Sequence, residues 1–230
     1  MKSLIFDFML MTRARIMRLL YPTNSYWFAI KSVTPLSRKF GLDRGTPIDR
    51  YYIDKFIQNN QKDIKGVCLE IGDDRYISKY GKFVTCTDVL DVVKREKVTI
   101  LGDLRNIPHV PSDTYNCIIL TQVLGMIDDL DSTISELYRI LKKGGVLLIT
   151  TSALSPCIDY ELSFWRFTVA SLKYLLLKKF DKRKVTVSSF GNALTSQVFY
   201  VGGVQEDLEK GQLDYSDKYF PTIIAARGVK

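Results

Sequence analysis

The sequence predicts a doubly wound α/β fold built on a mostly parallel sheet, and three observations predict it. Val67-Cys68-Leu69-Glu70-Ile71-Gly72 is a short apolar run that meets an acid and then a glycine, the pattern of a buried parallel strand delivering its C-terminal end to a ligand. The strand-like Phe83-Val84-Thr85-Cys86-Thr87 ends in Asp88, at a distance from Glu70 that suits a carboxylate accepting both hydroxyls of a ribose. Val98 to Leu101 reads as a third strand and ends in Gly102-Asp103-Leu104. Three consecutive strand ends carrying Glu70, Asp88 and Asp103 on one sheet edge point to a nucleotide-like cofactor.

The 230 residues suffice for one α/β domain with a substantial core plus an N-terminal extension, and the boundary is expected between residues 45 and 46. Met1 to Tyr21 reads as a helix with Met9, Ile16, Leu19 and Leu20 near one face and Arg15 and Arg18 opposite. With Tyr26-Trp27-Phe28 following, residues 1–28 suit peripheral contact with an anionic membrane, and equally suit packing on the domain or on a second subunit. No signal peptide is expected, because Asp7 interrupts the apolar start and Arg13, Arg15 and Arg18 come after it. Up to Lys65 there are twelve Lys and Arg against five Asp, so most of the net charge of +8 precedes the first strand. Such asymmetry suggests that the front of the molecule meets an anionic surface, or that it is a solvated basic helix.

Ser32 to Gly45 reads as a polar link. Thr46-Pro47-Ile48-Asp49 then starts a helix, with Thr46 as N-cap and Pro47 at the first helical position, and Tyr52, Ile53, Phe56 and Ile57 form its apolar face. Cys117 to Leu124 is the fourth strand, and Gln122 near its end is a candidate for contact with cofactor or substrate, since strand ends here line the crevice of a doubly wound sheet. Asp131 to Thr133 can cap a helix, Thr133 and Glu136 have capping-box spacing, Ile134, Leu137, Tyr138 and Leu141 repeat as a helix face, and Gly144-Gly145 ends that helix before the strand Val146 to Thr151. The aromatic and charged insert Ser152 to Thr168 follows, with Trp165 and Arg166 as substrate-side candidates. Asp159 and Glu161 in the same insert are candidate bases for a hydroxyl acceptor. Val169 to Phe180 is a helix, Val185 to Ser188 a strand, Leu194 to Leu208 a helix, and Pro221 to Val229 the last strand. Four scattered cysteines, Cys68, Cys86, Cys117 and Cys157, show no C-x-x-C spacing and read as buried, reduced thiols, the first three in strands. They argue for a cytoplasmic protein and against a zinc site; no metal is expected.

The residues Glu70-Ile71-Gly72, Asp88, Asp103 and the phrase Leu141-Lys142-Lys143-Gly144-Gly145-Val146-Leu147 resemble the class I S-adenosylmethionine-dependent methyltransferases. The resemblance covers roughly Thr46 to Lys230. It implies a Rossmann-like, seven-stranded, mostly parallel sheet with an antiparallel last strand, and S-adenosylmethionine as cofactor. Glu70, Gly72 and the adjoining Asp73 would form the loop after the first strand, Asp88 would hold the ribose, and Asp103 with Leu104 would lie near the adenine. Arg50 and Tyr51, on the helix before the first strand, would lie near the methionine end. The departure from the family is the loop itself, Glu70-Ile71-Gly72-Asp73-Asp74-Arg75-Tyr76, which has one glycine where E/D-x-G-x-G-x-G is usual.

Arg44-Gly45-Thr46-Pro47-Ile48-Asp49-Arg50-Tyr51-Tyr52, the loop after Glu70, Trp165-Arg166-Phe167-Thr168 and Asp214 to Pro221 are similar to a bacterial subgroup associated with surface-polysaccharide synthesis. That similarity implies O-methylation of a sugar or glycan intermediate, by an enzyme in the cytoplasm or peripheral on the inner face of the membrane. The alternative is a degenerate domain that keeps the fold and serves as a binding or scaffold partner, which the single-glycine loop favours. A nicotinamide-dependent reductase would need G-x-G-x-x-G after the first strand, and that is missing. Nucleic acid is an unfavoured partner, because the basic residues precede the domain and no N-P-P-Y-like sequence follows the fourth strand.

Overall fold

A computed structural model describes residues 32–157 and 159–230. The helix expected over Met1 to Tyr21 and the membrane contact expected of residues 1–28 lie outside the described residues. The chain divides into two compact units, one comprising residues up to Tyr52 with Leu154–Tyr160 and Phe190–Thr222, the other Ile53–Ala153, Glu161–Ser189 and Ile223–Lys230. Among the described residues no helix is long and apolar enough to cross a membrane.

The elements run α1 (Ile48–Asn59), β1 (Lys65–Ile71), α2 (Arg75–Tyr80), β2 (Phe83–Asp91), β3 (Ile100–Leu101), β4 (Tyr115–Thr121), α3 (Leu130–Ile140), β5 (Leu141–Ser152), α4 (Val169–Leu177), β6 (Val185–Phe190), α5 (Ala193–Tyr200), α6 (Lys210–Asp214) and β7 (Ile223–Val229). The seven strands are ordered β3-β2-β1-β4-β5-β7-β6, and β7 runs antiparallel to β5. This is the expected sheet. The order reverses at β1, with β2 and β4 both parallel to it, so a crevice opens beyond its carboxyl end.

Alternation along the strands sends Leu69, Ile118, Leu120, Leu147 and Ile149 into one core with Ile134, Leu137 and Ile140 of α3 and Leu172, Leu175 and Leu176 of α4. Cross-strand partners share a face, so Cys68, Glu70, Cys117, Ile119 and Leu148 line the other one. Cys68 and Cys117 are buried, whereas Cys86 and Cys157 are exposed. Cys86 escapes burial because β3 pairs with β2 only at Leu90 and Asp91, leaving the first half of β2 at the sheet's edge.

Several local expectations change. Gly144-Gly145, expected to end the helix, lie inside β5, which starts at Leu141 directly after α3. α3 begins at Leu130, capped by the Asp129 carboxylate accepting from Ser132 N rather than by a residue from Asp131 to Thr133. The helix expected over Leu194 to Leu208 stops at Tyr200, because Gly202 takes φ +79° and a Cβ there would stand 2.5 Å from the Ser37 carbonyl oxygen. The stretch Ser32 to Gly45, expected as a link, packs within the first unit. Leu36 N donates to Val201 O at 2.8 Å, and the buried Arg44 pairs with Asp207 and donates to Gly202 O. Thr46 likewise bonds Glu206 through its backbone N and its hydroxyl.

Leu137 is fully buried at the α3 side of the core. Leu137→Ala should therefore lower unfolding stability by about 2–5 kcal/mol, read as a lower urea midpoint.

Candidate functional site

In the second unit, β1 delivers Glu70 to the sheet edge, buried and level with Val89 of β2. Its carboxylate turns back to accept from Tyr76 N at 3.0 and 3.1 Å and from Ile77 N at 2.8 Å, satisfying donors that α2 leaves open at its N-terminus. Burial pushes the Glu70 carboxyl up to about 8, against the pull of those N–H groups. Gly72 turns at φ +91°, with its N–H held by Leu90 O at 2.9 Å, and no atom lies within 4 Å of where a Cβ would stand. This gives a ligand close access to the backbone, at the one loop position where a glycine remains.

Carboxylates shape the rest of the loop. The Asp73 side chain accepts from Arg75 N at 3.1 Å and pairs with the Arg75 guanidinium. Asp74 accepts from Lys97 at 2.5 Å and from the Ser78 hydroxyl. Lys97 holds the Asp74 carboxyl below the usual carboxylate range.

The second strand does not end where the sequence suggested. It runs three residues beyond Asp88 to Asp91. Asp88 sits opposite Leu69, inside the sheet, where it accepts from Tyr115 Oη at 3.0 Å and Thr99 Oγ1 at 2.9 Å. Burial and then the Asp88 charge push the Tyr115 phenol up. Asp91 is the acid at the edge: Leu90 opposes Ile71, and Asp91 O accepts from Gly102 N. Its carboxylate is mostly buried, accepts from Val93 N at 3.0 Å and pairs with Arg95 at 3.2 Å. The signal for Asp91 was Val89-Leu90, which carries the strand on past Asp88, but either acid satisfies the spacing rule.

Asp103 stays at the third strand's end, bound by Arg105, which also bridges to Asp128 at 2.7 Å in the loop after β4. Arg105 holds the Asp103 carboxyl low. Leu104, expected among the cofactor contacts, instead buries its side chain in the core, as befits an apolar residue flanked by polar ones.

Gln122 follows the last residue of β4 at φ +60°. Its N–H donates to Thr150 O at 2.8 Å and its Oε1 accepts from Ser152 Oγ at 2.7 Å, while Nε2 is buried and has no partner. The segment after Glu161 is strapped across the same edge. Trp165 N donates to Gly125 O, Trp165 Nε1 to Ile127 O at 2.9 Å, and Phe167 N to Ser152 O at 3.0 Å. Trp165 stays 44% exposed although its backbone N and its indole N are both held. Arg166 Nη1 donates to Trp165 O.

Gln122 and Trp165 are thus brought to the edge that also carries Glu70, Gly72, Asp91 and Asp103. Asp159 is exposed and belongs to the first unit. Arg50 and Tyr51 belong to it as well, and Tyr51 donates to Asp214 at 2.7 Å. Burial, reinforced by Asp214, pushes that phenol up to about 12.

The second unit's edge fits an adenosyl cofactor carrying an amino acid. A mostly buried acid at the end of β2 can take ribose hydroxyls, the open face of Gly72 admits a ligand to the backbone, and the orphaned Nε2 of Gln122 lacks an acceptor.

Residues 33–183 match the family described as "Methyltransferase domain". The ubiquinone/menaquinone biosynthesis C-methyltransferase UbiE of Escherichia coli is 30% identical over 86 residues, which are 33% of this chain and 34% of that protein. The chain spans about a third of the length of the curated relatives it matches. Among solved structures, a SAM-dependent methyltransferase from Archaeoglobus fulgidus aligns with TM-score 0.53 at 13% identity, over 79% of this chain and 94% of that one. An S-adenosylmethionine-dependent methyltransferase from Mesorhizobium loti aligns with TM-score 0.53 at 12% identity, over 80% and 100%.

The folded protein binds more protons at Glu70 than the unfolded chain between about pH 4.5 and 8. Stability should fall as pH rises through that window, by on the order of 1 kcal/mol per pH unit. Glu70→Gln, which retains an acceptor oxygen without the charge, should flatten the dependence in urea titrations from pH 5 to 8.5.

Proposed function

Since the chain belongs to the methyltransferase-domain family, whose cofactor is S-adenosylmethionine, we propose that it transfers a methyl group to a hydroxyl oxygen of a sugar or glycan intermediate. The observation that carries the acceptor side is Trp165, an aromatic face half open to solvent yet fixed at both ends by hydrogen bonds to the loop after β4. Such a face stacks on the C–H side of a sugar ring and leaves the hydroxyls free to react.

On the cofactor side, Asp91 takes the ribose hydroxyls, Gly72 lets the ligand reach the backbone, and Glu70 holds the loop through α2 without touching the ligand. Asp103, fixed by Arg105, borders the adenine. The sulfonium supplies the reactive methyl when bound and is left as the thioether, the acceptor hydroxyl gives its proton to solvent, and the protein's task is to align the acceptor with the methyl. Within the second unit, Arg166 is proposed to face the acceptor. A second reading, transfer to a ring carbon, draws on the likeness to UbiE, and a flat ring would stack on Trp165 as a sugar does.

Calorimetric titration with S-adenosylhomocysteine, with NADH as control, tests the cofactor. Asp91→Ala should weaken S-adenosylhomocysteine about tenfold or more, by the value of charged hydrogen bonds. Asp88→Ala should change affinity little and instead lower stability by releasing Tyr115 and Thr99. The reverse order would return the ribose to Asp88, and a folded protein that binds neither ligand at millimolar concentration would end the methyltransferase reading in favour of a scaffold.

For the acceptor, methyl transfer to a panel of nucleotide-activated and lipid-linked sugars is expected. Trp165→Ala should lower kcat/KM for the methylated sugar about tenfold while S-adenosylhomocysteine binds as before. Methylation of a quinol ring and of no sugar would replace the sugar assignment.

A further inference from the structure

We propose that Gln122 and Ser152 together hold the amino-acid end of the cofactor: Gln122 Nε2 donates to its α-carboxylate, and Ser152 is a positioning residue that fixes which way the carboxamide faces. The inference rests on the methyltransferase reading above and assigns it a binding group.

Gln122 adopts φ +60°, a conformation that residues with a Cβ rarely take, and such strain persists where surroundings impose it. Here the imposing contacts are visible. Gln122 N is held by Thr150 O at 2.8 Å, which ties the chain leaving β4 to β5, and Ser152 Oγ donates to Gln122 Oε1 at 2.7 Å. With that hydroxyl donating, the carboxamide oxygen faces β5 and the nitrogen turns away from it. The nitrogen is then left buried, with no acceptor in the protein, although buried donors are nearly always satisfied. Thr150 Oγ1, two residues before Ser152 on the same face of β5, is also buried without a partner. Two unsatisfied polar atoms on the neighbouring ends of β4 and β5 mark a place where a ligand completes the hydrogen bonding.

Sheet order identifies which part of the ligand arrives there. The strands run β3, β2, β1, β4 across the edge. With Asp103 at the end of β3 and Asp91 at the end of β2, a ligand with adenine and ribose over those strands directs its 5′ substituent across Gly72 toward β4. The anionic group of that substituent is a carboxylate, the acceptor a buried N–H bonds most strongly. A loop with a single glycine offers the ligand less backbone, and a side-chain donor from β4 makes up for it.

Calorimetry on the full chain with two probes tests this. S-adenosylhomocysteine carries the amino-acid end, and 5′-methylthioadenosine has the same adenosine and sulfur without it. Gln122→Ala should raise the Kd of S-adenosylhomocysteine about tenfold and leave that of 5′-methylthioadenosine within about twofold. Ser152→Ala should have the same selectivity with a smaller effect, about threefold. Gln122→Glu, nearly the same shape and so the control for folding, should weaken S-adenosylhomocysteine more than Gln122→Ala does, because it sets two carboxylates together. Equal weakening of both probes, no effect on either, or tighter binding by Gln122→Glu would overturn the assignment while leaving the methyltransferase reading intact. Failure of the unsubstituted protein to bind either probe would instead remove that reading, and the inference with it.

Discussion

The site depends on a carboxylate that never needs to meet the ligand. Glu70 spends its hydrogen-bonding capacity on the first turn of α2, accepting from Tyr76 and Ile77 while buried at the end of β1. Without that cap, a six-residue helix directly after a strand would present open N–H groups to an apolar interior, at a cost of about 1–3 kcal/mol for each group left unsatisfied. With it, the chain between Gly72 and Asp74 has one path. The same burial that makes the cap strong also raises the proton affinity of Glu70, so the anchor of the loop is pH-sensitive.

This anchoring explains how a cofactor loop can dispense with most of its glycines. Glycine-rich loops gain closeness to a ligand from backbone freedom, at an entropic cost. Here Asp73 closes a turn on Arg75 N, and Asp74 reaches Lys97 in the loop after β2. Rigidity from side chains replaces freedom of the backbone, and only Gly72, at positive φ, retains the open face. The opposite side of the crevice follows the same logic. Arg105 joins Asp103 to Asp128, and the Trp165–Phe167 strap bonds to Gly125, Ile127 and Ser152, so loops from three strands are tied to one another.

Periodicity and strand ends carried most of the architecture: the continuous apolar runs of β1, β4 and β5, the α3 stripe of Ile134 and Leu137, and the acid-glycine step at Glu70-Gly72 are local patterns and read directly. Residues chosen by counting fared unevenly. Asp88 and Asp91 both lie at a distance from Glu70 that a ribose-binding acid could have, and only pairing with β1 tells which one stands at the edge. Leu104 adjoins Asp103 in sequence but faces the core. Gly202 looked like a tolerable interruption of a helix, because the approach of Ser37 from more than a hundred residues earlier has no local signature.

The sequence by itself determined the doubly wound sheet, its crevice and the class of cofactor, since continuous apolar runs, breakers and strand-end acids act over a few neighbouring residues. Tertiary structure alone decided which groups stand at the crevice. The register of β2 on β1 put Asp91 at the rim and Asp88 inside, β5 brought Ser152 and Thr150 beside Gln122, and a strap from beyond β5 fixed Trp165. Those outcomes depend on hydrogen bonds between residues distant in the chain, and a one-dimensional pattern carries no term for them.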